Sequence, residues 1–532
     1  MPTRREILLS SAALTSLLML PGMKSAQAAT PRRGGTLIAS TVPEPNGLVS
    51  GVTPSNPAVV VSTNLFDGLI TYDRDNKPIP QLAESWETTD GGHTITFHLR
   101  NGVKWHDGQA FTSADVQYSL MEVTKKFHPR GIANFSQLQA VDTPDPLTAV
   151  FRFSRPAPVV WAALHGTETQ MLPRHLYAGS DVFANPLNSK PVGNGAFIFK
   201  EWVRGSHITL VRNPDYWQKG LPYVDELIFR IIPDAGAREA ALEAGEVHYA
   251  PLSPVPLSDA RRIDQSANVR IDPHGWEANA PVYFFDFNLA RKPFDDLRVR
   301  QAFAHAIDRE ALAKIPFFGF ARVATGPVPA SQKAFYKADT PQYPFDLKKA
   351  EALLDDAGLK RGADGTRLKI NHLVLPYGDD FNRAGSFMQQ QLKRVGIQLT
   401  FENLDLSTYL RRIFSDHDFD TMSAYYAAFS DPQVGVIRRF WSHAIQKGVA
   451  WGNASGYKSA QMDALVEGIN TKPDPAKRVA LVGQLQTLAQ TDLPSISLLE
   501  LNFFRAVSRK IDGLDDNPIG VYSSLASAYF KS

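Results

Sequence analysis

Phe97-His98-Leu99-Arg100-Asn101-Gly102-Val103-Lys104-Trp105-His106-Asp107-Gly108 is the stretch on which the reading of this chain turns. Ile95, Phe97 and Leu99 alternate, which predicts a half-buried strand, and Gly91-Gly92 supply the turn before it. Gly102 and Gly108 punctuate the turn that follows. Thr112-x-x-Asp115 is then a capping box ahead of Val116, Leu120, Val123 and Phe127, spaced for one apolar helix face. Strand, glycine turn and capped helix thus follow one another within some thirty residues.

Outward from there, strands and helices interleave without a strict βαβ rhythm. Alternation predicts strands at Ala149, Phe151 and Phe153, at Phe197 and Phe199, at Ile208 and Leu210, at Leu227, Phe229 and Ile231, and at Tyr283, Phe285 and Phe287. Helices announce themselves by caps. Asp295-Asp296 precede Val299, Phe303, Ala306 and Ile307. Asp346 precedes Leu347, Ala350, Leu354 and Ala357, with Gly358 as the stop. Met388, Leu392 and Val395 form a stripe ending at Gly396, after which Ile397, Leu399 and Phe401 alternate. Ser459 caps a helix carrying Met462, Leu465, Val466 and Ile469, and another follows Pro475. The chain is strand-rich before about residue 294 and helix-rich from there to about 493, which predicts at least two α/β domains built differently.

The 532 residues contain no cysteine, which removes disulfides, zinc fingers, iron–sulfur clusters, thiol nucleophiles and an N-terminal lipid-anchored Cys together. Arg4, Arg5 and Lys24 against Glu6 account for the whole net charge of +2, so the remainder is neutral. A neutral body lacks the basic face a nucleic acid would need. Residues 1–28 read as an export leader: Arg4 and Arg5, an apolar run from Ile7 to Leu20 interrupted by hydroxyls, then Ala26-Gln27-Ala28 as the cleavage site. Thr3-Arg4-Arg5-Glu6-Ile7-Leu8-Leu9 resembles a twin-arginine signal, so the expected destination is the periplasm. No later stretch reaches the 18 apolar residues that a membrane helix needs.

Catalytic patterns are sparse. There is no G-x-S-x-G, H-E-x-x-H or G-x-x-x-x-G-K-[ST]. Gly193-Asn194-Gly195 precedes a strand and reads as a turn. His93, His98 and His106 read as strand and loop histidines, and Asp416-His417-Asp418-Phe419-Asp420 as a solvated loop, so no metal and no cofactor is expected. What stands out is aromatic: Tyr425, Tyr426, Phe429, Phe440, Trp441 and Trp451 lie beside Gly, Ser and Asn without clear periodicity, which suits a recognition surface.

From about Asn64 onward the chain resembles the periplasmic solute-binding proteins of peptide and nickel importers, the family 5 extracellular solute-binding proteins of dipeptide- and oligopeptide-binding type. Asn64-Leu65-Phe66-Asp67-Gly68-Leu69, Pro80-Gln81-Leu82-Ala83-Glu84-Ser85-Trp86, the opening stretch with Phe111-Thr112-Ser113-Ala114-Asp115-Val116, Pro191 to Phe197, Arg212-Asn213-Pro214-Asp215-Tyr216-Trp217, Val299-Arg300-Gln301-Ala302-Phe303 and Ala306-Ile307-Asp308-Arg309 carry the likeness. In this signature Trp86 and Trp105 read as core anchors, and Arg300 and Asp308 as structural ions on a capped helix.

The resemblance implies an α/β, two-lobed periplasmic binding protein of type II, in its large three-domain variant, with a hinge between lobes. Mapped here, residues 29–67, 190–286 and 494–532 form lobe I, 68–189 a small inserted domain, and 287–493 lobe II. It implies a binding subunit rather than an enzyme. Its partners would be a small solute, foremost a peptide, and the inner-membrane permease subunits of an ABC importer, and it would work as a monomer. An opine, an oligosaccharide, a nickel chelate or haem is the alternative solute.

Peptide binders of the family hold the ligand ammonium with an Asp three residues before an Asp-Pro. Here Tyr426-Ala427-Ala428-Phe429-Ser430-Asp431-Pro432 puts Ala428 at that position. Ala cannot pair a buried ammonium. Either Asp431 takes over, or the free ammonium is not the recognised group; the plain reading of Asp431 is that it makes the turn before Pro432. The expected ligand-binding set is Tyr249, Tyr425, Tyr426, Ala427, Phe429, Asp431 and Trp441.

Overall fold

The computed structural model describes residues 31–252, 254–279, 281–402 and 404–531; the expected leader over 1–28 lies outside them. Three sheets organise the chain. The first has seven strands, in spatial order Val269–Asp272, Arg505–Ser508, Tyr249–Ala250, Thr36–Thr41, Glu226–Ile231, His207–Arg212 and Phe197–Val203. Thr36–Thr41 runs parallel to both of its neighbours, and the remaining pairings are antiparallel. The second is a four-stranded antiparallel sheet, Ala83–Thr89, Thr94–Leu99, Thr148–Phe153 and Leu138–Asp145, lying between parts of the first in sequence. The third has six strands, Ala321–Val323, Ser495–Leu501, Pro281–Phe287, Thr421–Ala427, Leu368–Leu373 and Ile397–Glu402. This is the two-lobed architecture, with the second, four-stranded sheet inserted in the first. Among the described residues, only two segments, Asp272 to Pro281 and Leu501 to Arg505, join the first sheet to the third.

Burial gives the two halves different mechanics. One continuous apolar core runs from Leu37 and Phe229 under the first sheet to Phe97, Trp105 and Phe151 under the second. The third sheet has a separate core around Phe285, Phe303, Leu399 and Leu498. Phe503, in one of the two connecting segments, packs against both. Contiguous close packing makes the inserted sheet one body with the first, and leaves rotation to the connecting segments.

Local readings hold where the caps are strong. Asp296, Asp346 and Ser459 accept backbone N–H groups at the starts of helices Leu297–Ala306, Leu347–Asp356 and Ala460–Thr471. Pro475–Asp492 is the helix after Pro475. Arg300 donates to the carbonyls of Phe294, Asp492 and Leu493 at 2.7–3.0 Å, covering free acceptors at the end of that last helix. Asp308 caps helix Arg309–Lys314. Trp105 is fully buried, and Trp86 packs partly buried at 5.7 Å from Trp161.

Two readings change. The helix after Thr112 keeps its capping box but passes into a π-helical stretch at Tyr118–Thr124. Wider turns rotate the face, so Val116, Leu120 and Val123 are buried while Phe127 is exposed, edge-on to Phe183. Tyr283, Phe285 and Phe287 belong to a strand whose seven residues are all buried, as are all seven of Ser495–Leu501. Alternation there does not mark a solvent face, because helices cover both sides of the sheet. The Asp416–Asp420 loop is exposed at Asp416 and Asp418, as a solvated loop reads, and carries ion pairs. Arg291 pairs with Asp418 and Asp420 at 3.0 and 2.8 Å, and Arg412 reaches Asp418 at 3.1 Å.

The Gly193-Asn194-Gly195 turn joins the inserted sheet to the first. A Cβ on Gly193 would stand 1.8 Å from the Leu65 carbonyl oxygen, so only glycine allows this approach. Asn194 accepts from the Asp67 N–H at 2.9 Å. His106 spans the turn: its Nδ1 accepts from Gly193 N–H and its Nε2 donates to the Gly195 carbonyl, both at 3.1 Å. Burial holds this imidazole neutral, with a pKa down to about 4.

Beside the turn, Asp67 accepts from Gln81 Nε2 at 3.0 Å, Tyr216 Oη at 3.0 Å and Trp217 Nε1 at 2.7 Å. Burial outweighs these three donors and raises its pKa to about 6. The folded state therefore favours the protonated acid. That stability is fully present below the unfolded value of 3.8 and is lost as pH rises through about 6. At 1.36 kcal/mol per unit, the swing is about 3 kcal/mol. Urea unfolding of wild type and Asp67→Asn from pH 4 to 7 is expected to show wild type losing about 2–3 kcal/mol relative to the variant. A pH-independent difference would assign the slope to other groups.

Candidate functional site

The two connecting segments and the sheet ends beside them carry a row of aromatic rings that bridges the halves of the molecule. Tyr425, on strand Thr421–Ala427, meets Tyr377 at 5.7 Å, Phe381 at 5.9 Å and Phe503 at 5.6 Å. Trp276 stands T-shaped to Phe503 at 5.2 Å and to Tyr522 at 5.8 Å. Four of the rings thus form a path from the six-stranded sheet through both crossings to Tyr522 in the C-terminal segment. Asn279 Nδ2 donates to Tyr522 Oη at 2.9 Å. Trp276 Nε1 and Asn279 Oδ1 are buried beside it without hydrogen-bond partners. Unpaired buried polar atoms among aromatic faces are what an apolar cleft with a few orienting groups offers a ligand.

From the inserted sheet's side, Arg130 and Glu168 form a bidentate pair, 2.6 and 2.8 Å. The Arg130 guanidinium lies 4.9 Å from the centre of the Phe429 ring. Phe429 has φ +56°, a left-handed backbone that a bulky side chain rarely adopts, and Gln332 Nε2 holds its carbonyl at 2.6 Å. Phe429 also borders a small apolar cluster of Val159, Ala162 and Val434, and Asn76 Nδ2 donates to the Ser430 carbonyl at 2.7 Å. The 429–434 segment is therefore where lobe II touches the inserted sheet. His128 and His165 nearby are held neutral by burial, each with a pKa down to about 4.

The expected residues separate by position. Tyr425 and Phe429 stand in this cleft region. Tyr426 points to the other face of its strand, buried against Phe284 at 5.8 Å and Trp451 at 5.9 Å, with the Arg439 guanidinium at 4.3 Å. Ala427 packs its carbonyl against Gly435, where a Cβ would come within 1.8 Å, and Ala428 is fully buried in the lobe II core. Trp441 is half-buried against that core, 5.0 Å from His443, its indole N–H buried without a partner. Tyr249 lies in the core of the first sheet, its hydroxyl near Arg505 and Asp272, and burial raises its pKa.

Asp431 is engaged on both oxygens. It caps helix Pro432–Gly435 by accepting from Gln433 N–H at 2.9 Å, and it pairs with Arg478 at 2.7 and 3.0 Å, both side chains being buried. The turn reading thus has a geometric basis, with an ion pair added that the sequence did not disclose.

Outside the expected set, Arg130, Glu168, Trp276, Asn279, Phe503 and Tyr522 line this region, and no local pattern in the sequence marks them. Behind Tyr522 a cavity of about 150 Å³ is lined in part by Gln81, His165 and Asp515. It is smaller than the ~300–1,000 Å³ usual for a ligand pocket and adjoins none of the seven expected residues. Among the described residues no cluster of three or more His, Asp or Glu could hold a metal.

The profile of bacterial extracellular solute-binding proteins, family 5, middle region, matches residues 77–448. The dipeptide-binding protein of Escherichia coli (strain K12) is 27% identical over 493 residues, covering 86% of this chain and 90% of the relative. Among solved structures, the oligopeptide-binding protein AppA from Bacillus subtilis in complex with a nonapeptide superposes with a TM-score of 0.81 at 25% identity, over 94% of this chain and 100% of that one. The AgaA binding protein in complex with agropinic acid, from A. tumefaciens R10, gives 0.78 at 26%, over 94% and 99%.

Proposed function

We propose, from the premise that this chain belongs to the family 5 bacterial extracellular solute-binding proteins, that it captures a peptide or peptide-like acid between its lobes and delivers it to the permease of an ABC importer. It is a transport component and performs no catalytic step. The observation that carries the choice of solute is the ring path Tyr425–Phe503–Trp276–Tyr522 with the unpartnered Trp276 Nε1 and Asn279 Oδ1. Aromatic faces take side chains of varied shape, and the two polar atoms suit a backbone amide, which donates and accepts. Relatives named for dipeptides and a neighbour holding a nonapeptide support the same class.

A second reading, an opine-like acid, has one specific support. Ala428 leaves no carboxylate at the position that pairs a peptide ammonium, and one neighbour at 26% identity holds agropinic acid. Both readings share the division into lobe I, inserted domain and lobe II. Arg4-Arg5 and the following apolar run support twin-arginine export to the periplasm, and action there as a monomer accords with two lobes that enclose one solute. Among the described residues no helix is long and apolar enough to cross a membrane.

The test is ligand-linked stability. A solute that binds only the folded protein raises the melting temperature, by about 2.7 kcal/mol of stability at 100-fold above its Kd. Screening di- to octapeptides beside opines and oligosaccharides by thermal melting is expected to return at least one peptide stabiliser. Stabilisation by opines alone would move the assignment to the second reading.

A further inference from the structure

The first sheet has an opening at the end away from the cleft. Strand Arg505–Ser508 starts where the crossing segment ends, and Lys510 follows its far end. There a cavity of about 560 Å³ lies between Arg32, His248, Lys510 and Lys531, and no acidic residue lines it. Lys531 meets Asp512 at 3.4 Å, with both side chains solvated. Arg32 and Lys510 have no carboxylate partner among the described residues. Acids on the neighbouring elements are engaged elsewhere: Asp225 by Arg212, Glu226 by Lys200 and Glu246 by Arg230. Three cations against Asp512 leave a net of +2 here, in a chain whose charge after residue 28 sums to zero.

The surrounding fold sets these groups in place. Lys510 Nζ would stand 3.7 Å from a Cβ on Gly245, the C-cap of helix Ala235–Ala244, whose carbonyl end attracts a cation. His248 Nδ1 accepts from Ile38 N–H at 3.0 Å, so the neutral ring carries its proton on Nε2 and can donate there. Burial, followed by the charge of Lys510, lowers the His248 pKa and keeps the ring neutral. The Ile38 carbonyl takes the His248 N–H at 2.7 Å. Thr36, two residues earlier on the same strand, turns its backbone N–H and C=O to that same edge, where Tyr249–Ala250 pairs only at Ala39. Gly34 and Gly35, both at φ +90°, lead into the strand with no side chain to cover the edge. Phe530 forms a wall, at right angles to His248 and 5.0 Å from it.

We propose that this cavity binds a phosphate group, carried either by a free phosphate ester or by the headgroup of an anionic phospholipid. Two ammoniums and a guanidinium supply the attraction, and a charge of about −2 on a phosphate monoester matches their excess. The His248 Nε2–H and the strand edge supply direction, since one phosphate presents several acceptor oxygens at once. The site lies outside the solute cleft and is independent of the solute reading.

The experiment compares the full chain with its Arg32→Gln, Lys510→Gln double variant. Both positions are exposed, so the two proteins are expected to melt together. Calorimetry uses inorganic phosphate and glycerol 3-phosphate as probes, with sodium chloride at matched ionic strength as the blank. Co-sedimentation uses vesicles of phosphatidylglycerol with phosphatidylcholine, and of phosphatidylcholine alone. Wild type is expected to bind at least one phosphate probe saturably, or the anionic vesicles, and to ignore chloride and the neutral vesicles. The double variant is expected to bind about tenfold or more weakly. Saturable binding of the free probes alone identifies a soluble ester; binding of the anionic vesicles alone identifies a headgroup; either upholds the site. No binding to any phosphate probe or vesicle, a response that chloride reproduces, or an affinity kept within about threefold in the variant would overturn it.

Discussion

Asp286→Asn is expected to lower the melting temperature of lobe II by roughly 6–20 °C. Asp286 lies on the central strand Pro281–Phe287, and its carboxylate accepts from Arg439, with both side chains essentially excluded from solvent. Arg439 is also packed over Phe284 at 3.6 Å and Tyr426 at 4.3 Å, so it cannot swing out to water. The asparagine keeps the shape and removes the charge, leaving a buried guanidinium without a counter-ion. Breaking such a pair costs about 3–5 kcal/mol, and a folding unit of this size shifts by about 2–4 °C per kcal/mol. The pair itself is not a strong net stabiliser. Burial outweighs the pull of Arg439 and raises the Asp286 pKa, and Asp286 Oδ2 and Arg439 Nη1 have no hydrogen-bond partner. Replacing both, as Asp286→Leu with Arg439→Met, is therefore expected to recover most of the single-variant loss. Thermal melts of the two variants decide; a double variant as unstable as the single would place the loss in packing.

Asp431→Asn carries the second large effect, and its direction separates two roles. Arg478 is buried, donates to Asp431 and Gln433, and is further held by the Ile469 carbonyl at 3.0 Å. Removing the charge leaves that guanidinium unpaired, at about 3–5 kcal/mol of stability. A residue spent on Arg478 and on a helix cap should not also read a ligand ammonium. The affinity ratio between a bound peptide and its N-acetylated form is thus expected to be the same in wild type and variant by titration calorimetry. A ratio near one in the variant but tenfold or more in wild type, about 1.4 kcal/mol, would make Asp431 the ammonium's partner after all.

These two sites mark the boundary of what could be read from the chain. Asp296, Asp346, Ser459 and the glycine stops were legible because a cap acts within one helical turn, where the residue and the N–H it accepts are close in sequence. The family signature was legible for the same reason, as contiguous words such as Phe97 to Gly108. Tyr425 and Tyr426 show where local reading stops. Adjacent strand residues face opposite ways, and only the packed sheet tells which way the cleft lies. The Thr112 helix misled because a π-helical stretch leaves the apolar spacing intact while turning the face. Arg130 and Glu168 stand 38 residues apart on a helix start and a turn, and Trp276 lies far along the chain from Phe503 and Tyr522. No spacing rule connects them, and only the fold sets their distances.

The order of strands in the seven-stranded sheet has a consequence for the chain's birth. Strand Arg505–Ser508 sits between Val269–Asp272 and Tyr249–Ala250, and it alone ties the former to the rest of the sheet. At about 5–20 residues per second, a ribosome finishes every strand of the six-stranded sheet before this one emerges. Each sheet thus waits on the same late stretch, the six-stranded one on Ser495–Leu501 and the seven-stranded one on Arg505–Ser508, and until it emerges Val269 and Ala250 of the latter's core stay uncovered. Closing so distant a pairing is slow. During that interval the open strand edge is exposed to chaperones and to other nascent chains. The last strand added is the latch, and a chain cut short of residue 505 should present a finished lobe II attached to a lobe I that cannot close.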